Sequence, residues 1–313
     1  MIATTPTVAA LKELGTALKD FGYAFTTVTP ATHARVNGRP HNALARNLRD
    51  VLGWSRPCTR DVLPSGIAAL MDAAGVLERD GDLWRSQVRF STYDGELFVH
   101  SAYPTTAPDA VFFGPDTYRM ADAATAHLAA RDRPVRRAAD IGCGTGAGAI
   151  AVAKRIPDAE VLAVDINPAA LRFTEVNVAL AGTAGVRPCH SDLLGGVDGD
   201  FDLIVANPPF MIDPVGRAYR DGGGPEGHDL SLAILDAAAE RLTPGGSLVL
   251  FSGTGIVAGH DPLRAAAAER LKDTGLTWTY READPDVYGE ELDGEAYAHA
   301  ERLAVVVLTA TRT

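Results

Sequence analysis

Apolar residues recur at helical spacing early in the chain. Val8, Leu11, Leu14, Leu18 and Phe21 fall on one face of segment 6–22, which predicts a helix. Leu44, Leu48, Val51 and Leu52 predict a second over 40–52, and a third opens at Pro64-Ser65 and runs through Leu70 and Met71 to Gly75. The period then changes. Segments 83–88 and 97–101 read as strands joined near Asp94-Gly95, a dipeptide suited to a hairpin turn. Helices followed by a hairpin predict a small α+β, winged-helix-like unit over 1–105, a candidate for substrate recognition. Residues 102–113, with Pro104 and Pro108, read as a linker; Phe113 to Tyr118 then lead into a helix ending near Ala130. From 135 onward short apolar runs alternate with helical ones. Strands are expected near 136–141, 160–165, 186–190, 201–206 and 246–252, helices near 146–155, 168–182, 229–242 and 261–274, and late strands near 276–282 and 302–311. Such alternation predicts βαβ units: an α/β sheet, largely parallel, with helices on both faces.

The polar residues that interrupt this pattern cluster at strand ends. The first strand ends in Asp140, followed by Gly142, Gly144 and Gly146 at every second position. That GxGxG turn differs from the GxGxxG that suits a dinucleotide, whose third glycine is missing here because position 147 is Ala. The second strand ends in Asp165, the third is followed by Ser191-Asp192, and the fourth runs into Asn207-Pro208-Pro209-Phe210. Together these residues resemble the successive motifs of class I S-adenosylmethionine-dependent methyltransferases. The Asn-Pro-Pro-Phe tetrad resembles the subgroup that methylates nitrogen, on nucleobase amines or on the glutamine amide of peptide release factors. Tyr219-Arg220-Asp221-Gly222-Gly223 is similar to the release-factor group. The resemblance covers roughly residues 110–311, and the N-terminal third lies outside it.

The resemblance implies a Rossmann-like seven-stranded methyltransferase sheet over 106–313 and S-adenosylmethionine as cofactor. It implies a cofactor cradle of Asp140, Gly142, Gly144, Gly146, Asp165, Ile166, Asn167, Asp192, Leu193 and Asn207. In that cradle Asp140 would receive the cofactor ammonium, Asp165 both ribose hydroxyls, and Asp192 the adenine amino group, with Ile166 and Leu193 beside the ring. Methyl transfer from a sulfonium is an in-line displacement, so the remaining task is to aim a nitrogen lone pair and exclude water. The Asn207 side-chain oxygen and the Pro208 carbonyl are two acceptors able to hold one amino group by its hydrogens, and Phe210 offers an aromatic face to a planar group. Tyr219, Arg220 and Asp221, in a glycine-rich loop from 211 to 229, are candidates for acceptor binding; Asp221 or His228 could take a proton. Cys143, in the glycine turn, reads as a small filler and not a nucleophile.

Charge bears on the acceptor. The 313 residues carry a net charge of −11, which disfavours a nucleic-acid partner. Against that stand Arg35, Arg39, Arg46, Arg49, Arg56 and Arg60, readable as a nucleic-acid face or as a solvated one. Acids at 282, 284, 286, 290, 291, 293 and 295 would attract a cation at the mouth of the site. Three cysteines without a CxxC suggest neither disulfides nor a metal site. The first residues lack a leader pattern and no apolar run approaches the ~20 residues of a membrane span. The expectation is a cytoplasmic N-methyltransferase acting on a small-molecule amine or guanidine or on a protein side-chain amide. RNA or DNA base methylation, and a non-catalytic cofactor- or nucleic-acid-binding module, are the alternatives; the oligomeric state is open.

Overall fold

A computed structural model describes residues 7–313. The leader reading concerns positions 1–6, outside the described residues. The N-terminal unit holds α1 (Val8–Asp20), α2 (Pro30–Asn37), α3 (Leu48–Leu52), α4 (Ser65–Ala73), β1 (Leu77–Asp80), β2 (Leu83–Ser86), β3 (Val88–Tyr93) and β4 (Glu96–Ser101). The helix predicted over 40–52 is broken into a short 3-10 turn at Pro40–Asn42 and α3. Asn47 is the reason: its side chain accepts from the Asp50 amide at 2.9 Å, starting a new helix there. The strand predicted over 83–88 is likewise two pieces. β2 pairs with β1, and β3 pairs with β4 with Tyr93 opposite Glu96. Asp94 and Gly95, at φ 48° and 77°, make the expected two-residue turn.

Four of the six arginines between positions 35 and 60 are engaged within this unit. Arg56 is buried, donating to Asp50 at 2.6 Å and to Asn37 at 2.9 Å. Arg46 also reaches Asp50, Arg49 lies over Phe25, and Arg60 pairs with Asp72 over the Trp84 ring. Only Arg35 and Arg39 among the six are exposed without such a contact among the described residues. Arg56 is thereby lost to any basic face, while the other five are exposed.

The larger unit follows the predicted alternation. It runs α5 (Pro115–Ala129), β5 (Arg137–Ile141), α6 (Ala147–Arg155), β6 (Glu160–Asp165), α7 (Pro168–Ala181), β7 (Val186–His190), β8 (Phe201–Ala206), α8 (Asp229–Arg241), β9 (Leu242–Ile256), α9 (Pro262–Leu271), β10 (Leu276–Asp284) and β11 (Arg302–Arg312). The seven strands lie in the order β10-β11-β9-β8-β5-β6-β7. β5 to β9 are parallel, and β11 is antiparallel to both its neighbours. After β7 the chain returns to place β8 on the other side of β5. This reversal opens a crevice beyond the carboxyl ends of β5 and β8, where open α/β sheets bind ligands.

The two units share a core. Val176 and Leu180 of α7 pack in one buried cluster with Leu11, Leu14, Leu18, Met71 and Phe90. Asn177 beside them is fully buried and satisfied. It accepts from the Val99 amide at 2.7 Å and donates to the carbonyls of Val99 and Thr145 at 3.1 and 2.9 Å. One side chain thus ties β4 to the glycine turn.

Candidate active site

The crevice is a cavity of about 420 Å³. Its floor is the turn after β5. Gly142 and Gly144 adopt φ of 68° and 55°, a region that favours glycine. The amides of Gly142 and Cys143 both donate to the Val164 carbonyl, at 2.9 and 3.0 Å, which pins the turn to β6. A Cβ on Gly142 would meet no protein atom within 4 Å and would project into the open space. Gly146 does not line the cavity; it caps α6 and lets Thr174 approach, so its place is structural.

Two carboxylates face this floor. Asp140 is 1% exposed and accepts from the Ala149 amide at 2.8 Å. Burial, with the nearby Asp165 charge adding to it, pushes its carboxyl up to about 7. Among the described residues no Lys, Arg or His pairs with it. Asp165 accepts from Gly144 N at 2.9 Å on one oxygen and from Asn167 N at 2.8 Å on the other. Burial pushes its carboxyl up too, and these amides hold it back. Asn167 caps α7 through Ala169 N. Ile166 is 59% exposed at the cavity edge, and Asp192 and Leu193 continue that edge. Leu193 holds the left-handed region at φ 48°.

On the opposite side stands Asn207, directly after β8. Its side chain makes no hydrogen bond among the described residues and borders the cavity. Pro208 is buried beside it. The Phe210 ring packs on Gly253 of β9, where a Cβ would lie 2.4 Å from the ring. It also meets Phe251 and Tyr288 at centroid distances of 6.5 and 6.3 Å.

The glycine-rich loop folds back over this corner. Met211 N donates to the Arg220 carbonyl and Gly222 N to the Met211 carbonyl, both at 3.0 Å. Arg217 makes two 2.7 Å bonds to Asp213, which hold that carboxyl down to about 2. Tyr219 stacks on Phe112 at 6.0 Å and its hydroxyl donates to the Thr105 carbonyl. Arg220 lines the cavity but is paired to Glu291 at 2.5 Å. Asp221 turns away from the cavity and accepts from Gly223 N. His228 is buried behind the loop, where burial pushes its imidazole down. Cys143 is buried 3.5 Å from the Thr174 hydroxyl, and burial drives its thiol well up, consistent with a filler.

The acid run is partly neutralised. Glu282 pairs with Arg302, Asp284 with Arg119 and Glu291 with Arg220. Two contributors escape sequence reasoning, Tyr288 after β10 and the Pro30 and Tyr103 wall from the N-terminal unit, while Asp116 on α5 lies in the Phe113 to Tyr118 stretch. They come from segments without periodicity, and only the Phe113 to Tyr118 stretch gave a signal.

These residues fit a sulfonium nucleoside with an amino-acid end. A buried anion without a counter-ion suits its ammonium, the Asp165 oxygens suit vicinal hydroxyls, and the exposed Ile166 suits a flat base.

Comparison with known proteins agrees. Residues 117–258 match the family described as "Methyltransferase small domain". A release factor glutamine methyltransferase of Deinococcus radiodurans is 35% identical over 188 residues, covering 56% of this chain and 63% of that one. A ribosomal protein uL3 glutamine methyltransferase of Neisseria meningitidis is 35% identical over 133 residues, covering 39% and 44%. The chain thus spans between 44% and 63% of the length of these curated relatives. The solved structure of wild-type Trm5b from Pyrococcus abyssi, 16% identical, aligns with a TM-score of 0.51 over 76% of this chain and 62% of that one, and shows the fold. Among the described residues no helix is long and apolar enough to cross a membrane, and no cluster of His, Cys, Asp or Glu is arranged to hold a metal. Through residues 117–258, this chain is thus similar to the methyltransferase small domain and to glutamine methyltransferases that carry it.

Proposed function

We propose that the chain, acting in the cytoplasm, methylates the side-chain amide nitrogen of a glutamine in a protein. The observation that carries this reading is the Asn207 side chain, unengaged in the protein and facing the same cavity as the Asp140–Asp165 floor. The names of the relatives support the acceptor. When bound, S-adenosylmethionine supplies a methyl activated by its sulfonium charge. Asp140, Asp165 and the glycine turn orient the cofactor, with Asp192, Ile166 and Leu193 at the base. Asn207 and the Pro208 carbonyl accept the two amide hydrogens, which pyramidalises the nitrogen and frees its lone pair. Phe210 lies against the planar amide, and Tyr219 with its loop excludes water. Residues 106–313 supply this machinery, and residues 1–105 contribute to acceptor recognition through the Pro30 and Tyr103 wall. The argument for a small cation as acceptor is weakened, because three of the seven acids expected to attract one are paired with arginines.

The test is methyl transfer from labelled cofactor to recombinant release factor and to ribosomal protein uL3, with the modified residue located by mass spectrometry. Label on a glutamine, lost in Asn207→Ala while cofactor affinity stays within about threefold, is the expected result. Label on neither protein, with transfer to a small amine instead, would overturn the amide reading.

A further inference from the structure

We propose that Tyr288 and Asp116 form the proton-accepting pair of this site. The inference rests on the amide reading above. Four carboxylates line the cavity. Asp140 within β5, Asp165 at the end of β6 and Asp192 after β7 belong to the cofactor side. Asp116 does not: it is in the first turn of α5, and it holds the Tyr288 hydroxyl by a hydrogen bond. The Tyr288 ring in turn meets Phe210, three residues beyond Asn207. The pair therefore stands on the acceptor side.

The chemistry needs such a group. Bond formation uses the nitrogen lone pair, the carbon–sulfur bond breaks with its electron pair left on sulfur, and the amide nitrogen must shed one proton. Asn207 and a proline carbonyl accept hydrogen bonds but are not bases at neutral pH. A Tyr288 oxygen can accept the nitrogen's proton as its own hydroxyl proton passes to the Asp116 carboxylate. The other candidates face elsewhere, since Asp221 and His228 do not line the cavity.

The surroundings suit a base. Asp116 is 4% exposed. It faces Arg119 on its own helix at 3.4 Å, and Arg119 also binds Asp284 at the end of β10. Burial pushes its carboxyl up to about 6, against the pull of Arg119, so the carboxylate is present at neutral pH and can still hold a proton. Tyr288 holds the left-handed region at φ 54°, where an aromatic side chain is rare and which is tolerated where the surroundings enforce it.

The experiment compares Asp116→Asn and Tyr288→Phe with the parent chain. Its readouts are the pH profile of transfer to recombinant release factor and uL3, cofactor affinity by calorimetry, and a carboxyl NMR titration of Asp116 in the ligand-free protein. The parent should gain activity as pH rises through about 6, matching the Asp116 titration. Asp116→Asn should lose about a hundredfold in kcat and the acid limb with it, cofactor affinity unchanged, and Asp116→Glu should recover part. Tyr288→Phe keeps the ring and should lose about tenfold. Either variant keeping the parent rate and acid limb, or losing cofactor binding in equal measure, would overturn the pair. A parent chain that methylates no amide would instead sink the reading on which the pair rests, while the NMR midpoint remains measurable.

Discussion

The Tyr219 hydroxyl donates to the Thr105 carbonyl over 2.8 Å, joining the loop beyond Asn-Pro-Pro-Phe to the segment that leaves the N-terminal unit. With the Phe112 stack it forms a strap across one side of the cavity. Tyr219→Phe keeps the stack and should raise the acceptor KM only about twofold to threefold; Tyr219→Ala removes both contacts and should raise it about tenfold. Steady-state kinetics, with hydrogen exchange of residues 211–229, would measure this. Equal kinetics for parent and Tyr219→Ala would show that the strap is idle.

Two glycines stand against side chains proposed to serve the acceptor and the cofactor. A Cβ at Gly253 would lie 2.4 Å from the Phe210 ring, and one at Gly148 would lie 2.7 Å from an Asp140 oxygen. Gly253→Ala should cut turnover about tenfold or more with cofactor affinity little changed. Gly148→Ala should weaken cofactor binding by a similar factor. Calorimetry and initial rates on the two variants should give opposite patterns; the same pattern from both would contradict the division.

Asp140 should make the ligand-free protein pH-sensitive. Its folded-state carboxyl, up to about 7, lies above the unfolded value, so its contribution to stability is present at low pH and is lost as pH rises through about 7. Asp116 acts in the same direction through about 6. His33 opposes them: burial pushes its imidazole down to about 4, and its contribution is lost as pH falls through that value. Asp140→Asn should raise the ligand-free Tm by several degrees near about pH 8, less near about pH 5, and weaken cofactor binding more than about tenfold. Thermal scans across that range, which should show a smaller alkaline decline in the variant, decide the matter.

Arg56 and Asp50 are a buried pair, with side chains 4% and 8% exposed. Arg56→Ala leaves the Asp50 carboxylate only the exposed Arg46 as a charged partner and should destabilise by about 3 kcal/mol. Replacing both, as Asp50→Asn with Arg56→Met, should recover part of that loss. Urea unfolding of the single and double variants gives the coupling, and additive losses would mean that the pair is not linked.

The sequence made the sheet and cradle legible because those residues sit at the ends of periodic runs. Asp140, Asp165, Asp192 and Asn207 each lie at or just past the end of a strand that the apolar pattern locates, and the parallel topology then brings them to one rim. Tyr288 and Asp116 are 172 positions apart, and nothing local in either segment announces their bond. The acid run is only partly legible for a related reason: composition shows the charges of Glu282, Asp284 and Glu291 but not the arginines that meet them. α3 and the β1–β2 hairpin were obscured where one capping residue or one extra turn outweighs a weak apolar period.

The apolar packing of Val176 and Leu180 against α1 has a practical outcome for anyone trimming this enzyme. A fragment beginning at the linker would leave Phe173, Val176 and Leu180 wet along one flank of α7, and would also strip Asn177 of its grip on Val99. Such a fragment should clump on expression and hold its glycine turn slackly. The front third is thus a scaffold for the larger unit, and a piece for purification should keep both.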